Sequence, residues 1–169
     1  MKVNMGSQKT DYNDILGFDA ADAWGKLEWK TIEKNVLQED DLRKNPPGIY
    51  QLILNPGRNT AIAEVKVCNK EEAGIYCNNL GKGDVILSVG KTKKLRTRLQ
   101  QHFGNNDRAN RLKRRCKTFF GLEDVSLDNL AHHNLQIKYT IIKEWWKRDL
   151  LESYGKAVNC CLFDLEIEH

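Results

Sequence analysis

The sequence predicts an α/β protein of the α+β type, with a small, mainly antiparallel sheet of about three to five strands flanked by helices. Three observations carry this. Short β-like runs rich in branched and aromatic residues cluster between residues 48 and 89, separated by turn signals. Two stretches within residues 95–119 carry apolar residues at helical spacing. A further alternating run, LQIKYTII, leads into another helical pattern from Lys143 to Tyr154.

Residues 1–45 read as an N-terminal extension, partly helical, and residues 46–169 as the main domain. The first dozen residues are polar. A helical pattern starts at Asp19 with Ala20, Ala21 and Trp24, and Ile32, Val36 and Leu37 suggest another short helix. The two tryptophans, Trp24 and Trp29, imply that this part packs on something. Pro46 and Pro47 end it, and GIYQLIL (48–54) follows as a strand. Asn55, Pro56 and Gly57 signal a turn, AIAEVKV (61–67) a returning strand, and GIYC (74–77) another short strand.

Val85, Ile86, Leu87 and Val89 predict the next strand, with Gly90 ending it in a tight turn. Thr92 is the candidate N-cap of a helix that turns Leu95, Leu99 and Phe103 to the core. Arg98 and His102 stand four apart, on one side of that helix. A cation and an imidazole presented together beside a strand end suit the handling of a phosphate. The plainer alternative is a solvated arginine and a partly buried histidine. A second helix, capped by Asp107, carries Ala109, Leu112, Cys116 and Phe119 on one side and ends at Gly121. Residues 122–134 read as a polar connection. The following helix places Trp146, Leu150, Leu151 and Tyr154 on one face and Glu152, beside Asp149, on the other. VNCCLFDLEIEH reads as a last strand.

Composition narrows the function. The 169 residues carry a net charge of +4, but residues 91–120 hold eleven Lys and Arg against the single acid Asp107, whereas residues 1–45 hold seven bases against nine acids. So concentrated a cation favours a polyanion such as nucleic acid; a solvated helix face is the alternative. No apolar run approaches the ~20 residues needed to cross a bilayer, and no apolar signal region opens the chain. The expected location is cytoplasmic, with no membrane partner. The five cysteines lack C-x-x-C spacing, so reduced, mostly buried thiols are expected rather than a zinc site. VGKT (89–92) resembles the end of a P-loop, but the required earlier glycine falls on Val85, so no nucleotide cofactor is expected.

Taken in order, these pieces resemble the GIY-YIG nuclease superfamily. Gly48-Ile49-Tyr50 resembles its first strand motif, and Ser88-Val89-Gly90 stands at the second. Leu95, Arg98, Leu99 and His102 match its helix, and Glu152 with Asn159 match its later acidic helix and asparagine. The resemblance covers about residues 46–160. Two departures stand out: Ser88 replaces the second-motif tyrosine, and a second triplet, Gly74-Ile75-Tyr76, competes with Gly48-Ile49-Tyr50. The preferred assignment takes Tyr50 as the motif tyrosine, with Tyr76 partly replacing the phenol lost at Ser88.

The resemblance implies a DNA endonuclease dependent on one Mg²⁺ (or Mn²⁺) per site. Its implied catalytic residues are Tyr50, Tyr76, Lys91, Arg98, His102, Glu152 and Asn159. A tyrosine is the base toward water, with Lys91 or Arg98 supplying the charge that eases its ionisation. Arg98 pairs with the phosphate, His102 bonds the tyrosine or relays a proton, and Asn159 orients neighbours. Glu152 is the metal ligand, with Glu144 as runner-up. Lys93, Lys94, Arg96, Arg108, Arg111, Lys113, Arg114, Arg115 and Lys117 are the expected DNA-backbone contacts. Cutting both strands favours a homodimer. The competing expectations are a GIY-YIG-like nucleic-acid-binding module without catalysis, and a protein-interaction module using the tryptophan-bearing N-terminal part.

Overall fold

The structure, a computed structural model, describes residues 12–32, 39–55, 85–104, 110–159 and 161–164. The expected strands at 61–67 and 74–77, Tyr76, Val36, Leu37, Asp107, Arg108 and Ala109 lie outside the described residues.

Four strands form one antiparallel sheet, in the order β1-β4-β2-β3: β1 is Lys30–Thr31, β2 Gly48–Leu54, β3 Val85–Thr92 and β4 Leu135–Ile141. GIYQLIL is central and every one of its residues is buried, as a strand covered on both faces requires. Alternation along it divides the interior. Tyr50, Leu52 and Leu54 enter the larger core, with Leu87, Ile137 and Tyr139. Ile49 enters a smaller cluster with Ile142 and Leu151.

Helices cover both faces. Helix α1 spans Tyr12–Leu16 and α2 Ala20–Gly25, followed later by α3 (Leu95–Phe103), α4 (Arg111–Phe120) and α5 (Trp145–Asn159). Leu95, Leu99 and Phe103 of α3 and Leu112, Cys116 and Phe120 of α4 all pack beneath Tyr50's face. Burial pushes the Cys116 thiol up to about 12, and Cys161 is buried too. Leu151 of α5 lies on the Ile49 face with Trp24 and Trp29. Asp19 caps α2 by accepting from Asp22 N at 3.1 Å. Trp24 lies over Gly155 of α5 and Phe18 meets Trp146 edge-on, so the N-terminal aromatics pack on α5.

Several expectations need correction. Gly90 does not end β3, which runs on to Thr92. Thr92 is not the cap of α3; Lys94 holds that position without a side-chain bond, and Thr92 Oγ1 accepts from Lys94 N instead. Residues 30 and 31 pair with β4, in a stretch read as helical or linking. Leu150 is 38% exposed, and the buried face of α5 is Arg148, Leu151 and Gly155. The 122–134 connection buries Val125 and Leu130 and includes a 3-10 turn at Leu130–His133. The C-terminal segment is not a strand where described: α5 reaches Asn159, and a 3-10 turn follows at Leu162–Asp164.

Candidate active site around Tyr50

The site is assembled at the start of β2. Asn45 and Pro46, just upstream, cap α3 from outside. Asn45 Oδ1 accepts from Thr97 N at 3.1 Å and Pro46 O accepts from Leu95 N at 2.9 Å. These bonds satisfy two of the orphan N–H groups at the helix start. Pro47 O accepts from Ile142 N, just past β4. The chain leading into Gly-Ile-Tyr therefore clamps β2 to both α3 and β4, which sets where Arg98 and His102 stand relative to Tyr50.

Tyr50 sits opposite Gly90 in the β2–β3 register. A Cβ built on Gly90 would lie 2.3 Å from both Tyr50 Cζ and Oη, far inside any contact a side chain tolerates. Gly90 thus makes room for the phenol of Tyr50. The Tyr50 oxygen lies 2.6 Å from His102 Nε2, and both side chains are 3% exposed. Burial pushes the Tyr50 phenol up to about 12; the charge of Arg98 and a hydrogen bond from it act the other way, while Asp164 and Glu152 add to the rise. Arg98, one of the two cations considered from sequence, thus acts toward ionisation of Tyr50 while burial outweighs it.

His102 is held neutral. Burial first, then the charges of Arg98 and Arg111, push its imidazole down to about 4. Arg98 donates to the phenol oxygen, and which of Tyr50 Oη and His102 Nε2 donates to the other follows the imidazole tautomer. Nδ1 is buried and has no partner among the described residues.

Glu152 approaches from the other face of the sheet. Lys91 lies opposite Ile49 and shares its face, and α5 packs there through Leu151. Lys91 Nζ is 2.8 Å from Asp149 Oδ1 and 3.3 Å from Glu152 Oε2, and Lys156 Nζ is 3.1 Å from Glu152 Oε1. The Glu152 side chain is only 14% exposed. Among the described residues β3 is the edge strand beside Tyr50, and the Glu152 charge is felt at the phenol from the other face as the smallest of the influences on it.

No group of three or more His, Cys, Asp and Glu gathers among the described residues. Glu152 still suits Mg²⁺, which keeps most of its waters and needs only one or two carboxylates besides substrate phosphate oxygens. Both its oxygens already face cations. Glu144, the runner-up, is tied up at the start of α5. Its carboxyl lies below the usual range, held first by its own backbone N–H and further by Lys147 at 3.4 Å.

Asn159 donates to Gly155 O at 2.8 Å, within its own helix. Of the expected DNA contacts, Lys93, Lys94, Arg114 and Lys117 are exposed, and Arg96, Lys113 and Arg115 are half-buried. Lys117 pairs with Glu123 at 3.4 Å. Arg111 donates to Phe163 O at 3.0 Å, which ties the start of α4 to the C-terminal turn.

Sequence reasoning missed Asp164. Its carboxylate accepts from Ser88 Oγ and from Val89 N, each at 2.7 Å. It thereby satisfies an edge N–H of β3 next to Gly90. Arg148 was missed as well: it is buried and donates to Ile142 O and Lys143 O at 2.8 and 2.9 Å, closing the β4–α5 turn. The described residues contain no helix long and apolar enough to cross a membrane. Comparison of the chain with protein-family models, with curated proteins and with solved structures finds no match.

Proposed function

We propose that the chain is a metal-dependent DNA endonuclease of the GIY-YIG kind, hydrolysing phosphodiester bonds through Tyr50, Arg98, His102 and Glu152. The observation that carries this reading is the surroundings of one phenol. Tyr50 bonds a neutral imidazole, takes a hydrogen bond from a guanidinium, and lies within electrostatic reach of Glu152.

In this reading Tyr50, as the phenolate, takes a proton from the attacking water. The hydroxide oxygen bonds to phosphorus and the ester P–O bond breaks. Burial disfavours the phenolate, the charge and hydrogen bond of Arg98 offset part of that cost, and the neutral His102 orients the phenol through its Nε2 contact. Arg98, exposed beside the phenol, pairs with the phosphate charge that grows at the transition state. Glu152 would hold Mg²⁺ (or Mn²⁺), which when bound neutralises phosphate charge and stabilises the leaving oxygen. The bases of α3 and α4 grip the DNA backbone.

Plasmid cleavage tests the proposal. Wild type with Mg²⁺ is expected to nick or linearise supercoiled DNA, and Glu152→Ala to cut at least about a hundredfold more slowly. Equal cutting by both would remove Glu152 from the mechanism. One observation favours a second reading, a nucleic-acid-binding module without catalysis: Ser88, at the second-motif tyrosine position, is buried and bonded to Asp164. That reading predicts salt-sensitive DNA binding with no cutting at any Mg²⁺ concentration.

A further inference from the structure

We propose that Lys91 is a built-in competitor of the divalent ion at Glu152, and that Asp149 is the post to which its ammonium withdraws when the ion binds. The inference rests on the endonuclease reading for one point, the assignment of the ion to Glu152.

The geometry is that of one cation shared by two carboxylates. Asp149 and Glu152 stand three apart on α5, on the same side of the helix. Lys91 reaches both from the end of β3, nearer to Asp149 (2.8 Å) than to Glu152 (3.3 Å). A lysine is an ammonium at neutral pH, and this one stands where positive charge at Glu152 is wanted.

A divalent ion on the same carboxylate meets that ammonium as a like charge a few ångströms away. The ammonium has somewhere to go. Asp149 is 48% exposed and already holds the shorter of the two contacts, and a four-carbon side chain can shift toward it without leaving its ion pair. Lys156, on the other oxygen of Glu152, has no such second post among the described residues. It is an ordinary i,i+4 pair along α5. The arrangement predicts low metal affinity for the DNA-free protein, set by Lys91 rather than by a poor carboxylate.

The test is calorimetric titration of MnCl₂ into the full chain without DNA, with circular dichroism confirming that each variant is folded. Lys91→Met is expected to bind Mn²⁺ about fivefold tighter than wild type, the scale on which one partly exposed ion pair competes. Glu152→Gln is expected to lose binding in either background. Asp149→Asn is expected to weaken binding in the wild type, because Lys91 then rests on Glu152 alone, yet to have no effect once Lys91 is Met. Lys91→Met binding no tighter than wild type overturns the proposal, as does absence of binding by both. Equal loss from Asp149→Asn in both backgrounds also overturns it, since Asp149 would then be a ligand itself. Failure of the endonuclease reading is read separately, as no Mg²⁺-dependent plasmid cutting by wild type while the titrations keep the expected order.

Discussion

The Tyr50 ring occupies the volume in which a side chain on Gly90 would begin, with Oη and Cζ each 2.3 Å from that point. The two residues are register partners on adjacent strands, so neither can move away without breaking the β2–β3 ladder. Gly90→Ala is therefore expected to destabilise the fold by about 1–3 kcal/mol, the usual cost of overpacking. It must also push the phenol off His102. Under the proposed function, cleavage falls by roughly a hundredfold, because displacements of about 1 Å cost that much at a reacting centre. Urea denaturation and plasmid cleavage on the same preparation check both effects; a variant with unchanged stability would show that the ring has another place to go.

Tyr50→Phe separates the hydroxyl from the ring. The ring still fills the space over Gly90, but His102 Nε2 loses its 2.6 Å partner in a buried site. The expected stability loss is about 1–3 kcal/mol, the cost of leaving a buried polar group unpaired. Cleavage is expected to drop to background. The companion variant Tyr76→Phe settles which triplet carries the motif tyrosine. Full activity in Tyr50→Phe with none in Tyr76→Phe would reverse the assignment.

Much of this site could be read from residue order alone. The run GIYQLIL, the apolar strand before Gly90, and the helix of Leu95, Leu99 and Phe103 each announce themselves through periodicity, and Arg98 and His102 follow from that helix. What escaped depends on contacts between distant segments. Gly90 resembles a turn glycine because nothing local reveals that a ring from the next strand needs its space. Asp164 lies in an apolar stretch that scans as a strand; Phe163 packing near Phe120 and the edge N–H of Val89 fold it into a turn. Lys30–Thr31 is too short a strand to show a period. Arg148 looks like a surface charge, yet it shares a buried stripe with Leu151 and Gly155 because carbonyls at the end of β4 await its guanidinium.

Asp164 gives a prediction that sequence reading could not. Its carboxylate is the acceptor for a serine hydroxyl that is 3% exposed and for an edge N–H. Asp164→Ala leaves both donors without a partner, and a loss of about 2 kcal/mol is expected, since hydrogen bonds to charged groups exceed neutral ones. Ser88→Ala removes one donor and keeps the other bond, so its loss is expected to be the smaller. Denaturant midpoints of the two variants check the ordering.

His102 sets an acid limit on stability. In the unfolded chain its imidazole takes a proton near pH 6.5, whereas in the fold burial and two arginines hold it down to about 4. Above ~6.5 neither state is protonated and the full stability is present. Between those values the unfolded state binds the extra proton, so stability falls as pH drops, by up to about 1.4 kcal/mol per unit. His102→Gln is expected to flatten this dependence, as measured by urea midpoints between pH 4 and 7. An unchanged slope would assign the acid sensitivity to other groups.

Under the proposed function, the basic face of α4 is expected to act through phosphate charge and not through base recognition. Arg114 is exposed, while Arg111 is committed to Phe163 O and Lys117 to Glu123. Arg114→Ala therefore removes an exposed charge that holds no side-chain bond among the described residues, whereas Arg111→Ala also loosens the turn that carries Asp164. For Arg114→Ala, binding to any duplex sequence is expected to weaken alike, and the slope of log affinity against log salt to fall by about one. Arg111→Ala is expected to lower thermal stability as well as DNA affinity. Fluorescence anisotropy across a salt series, paired with thermal melts, separates the two, and a sequence-dependent loss in Arg114→Ala would show that this helix reads bases.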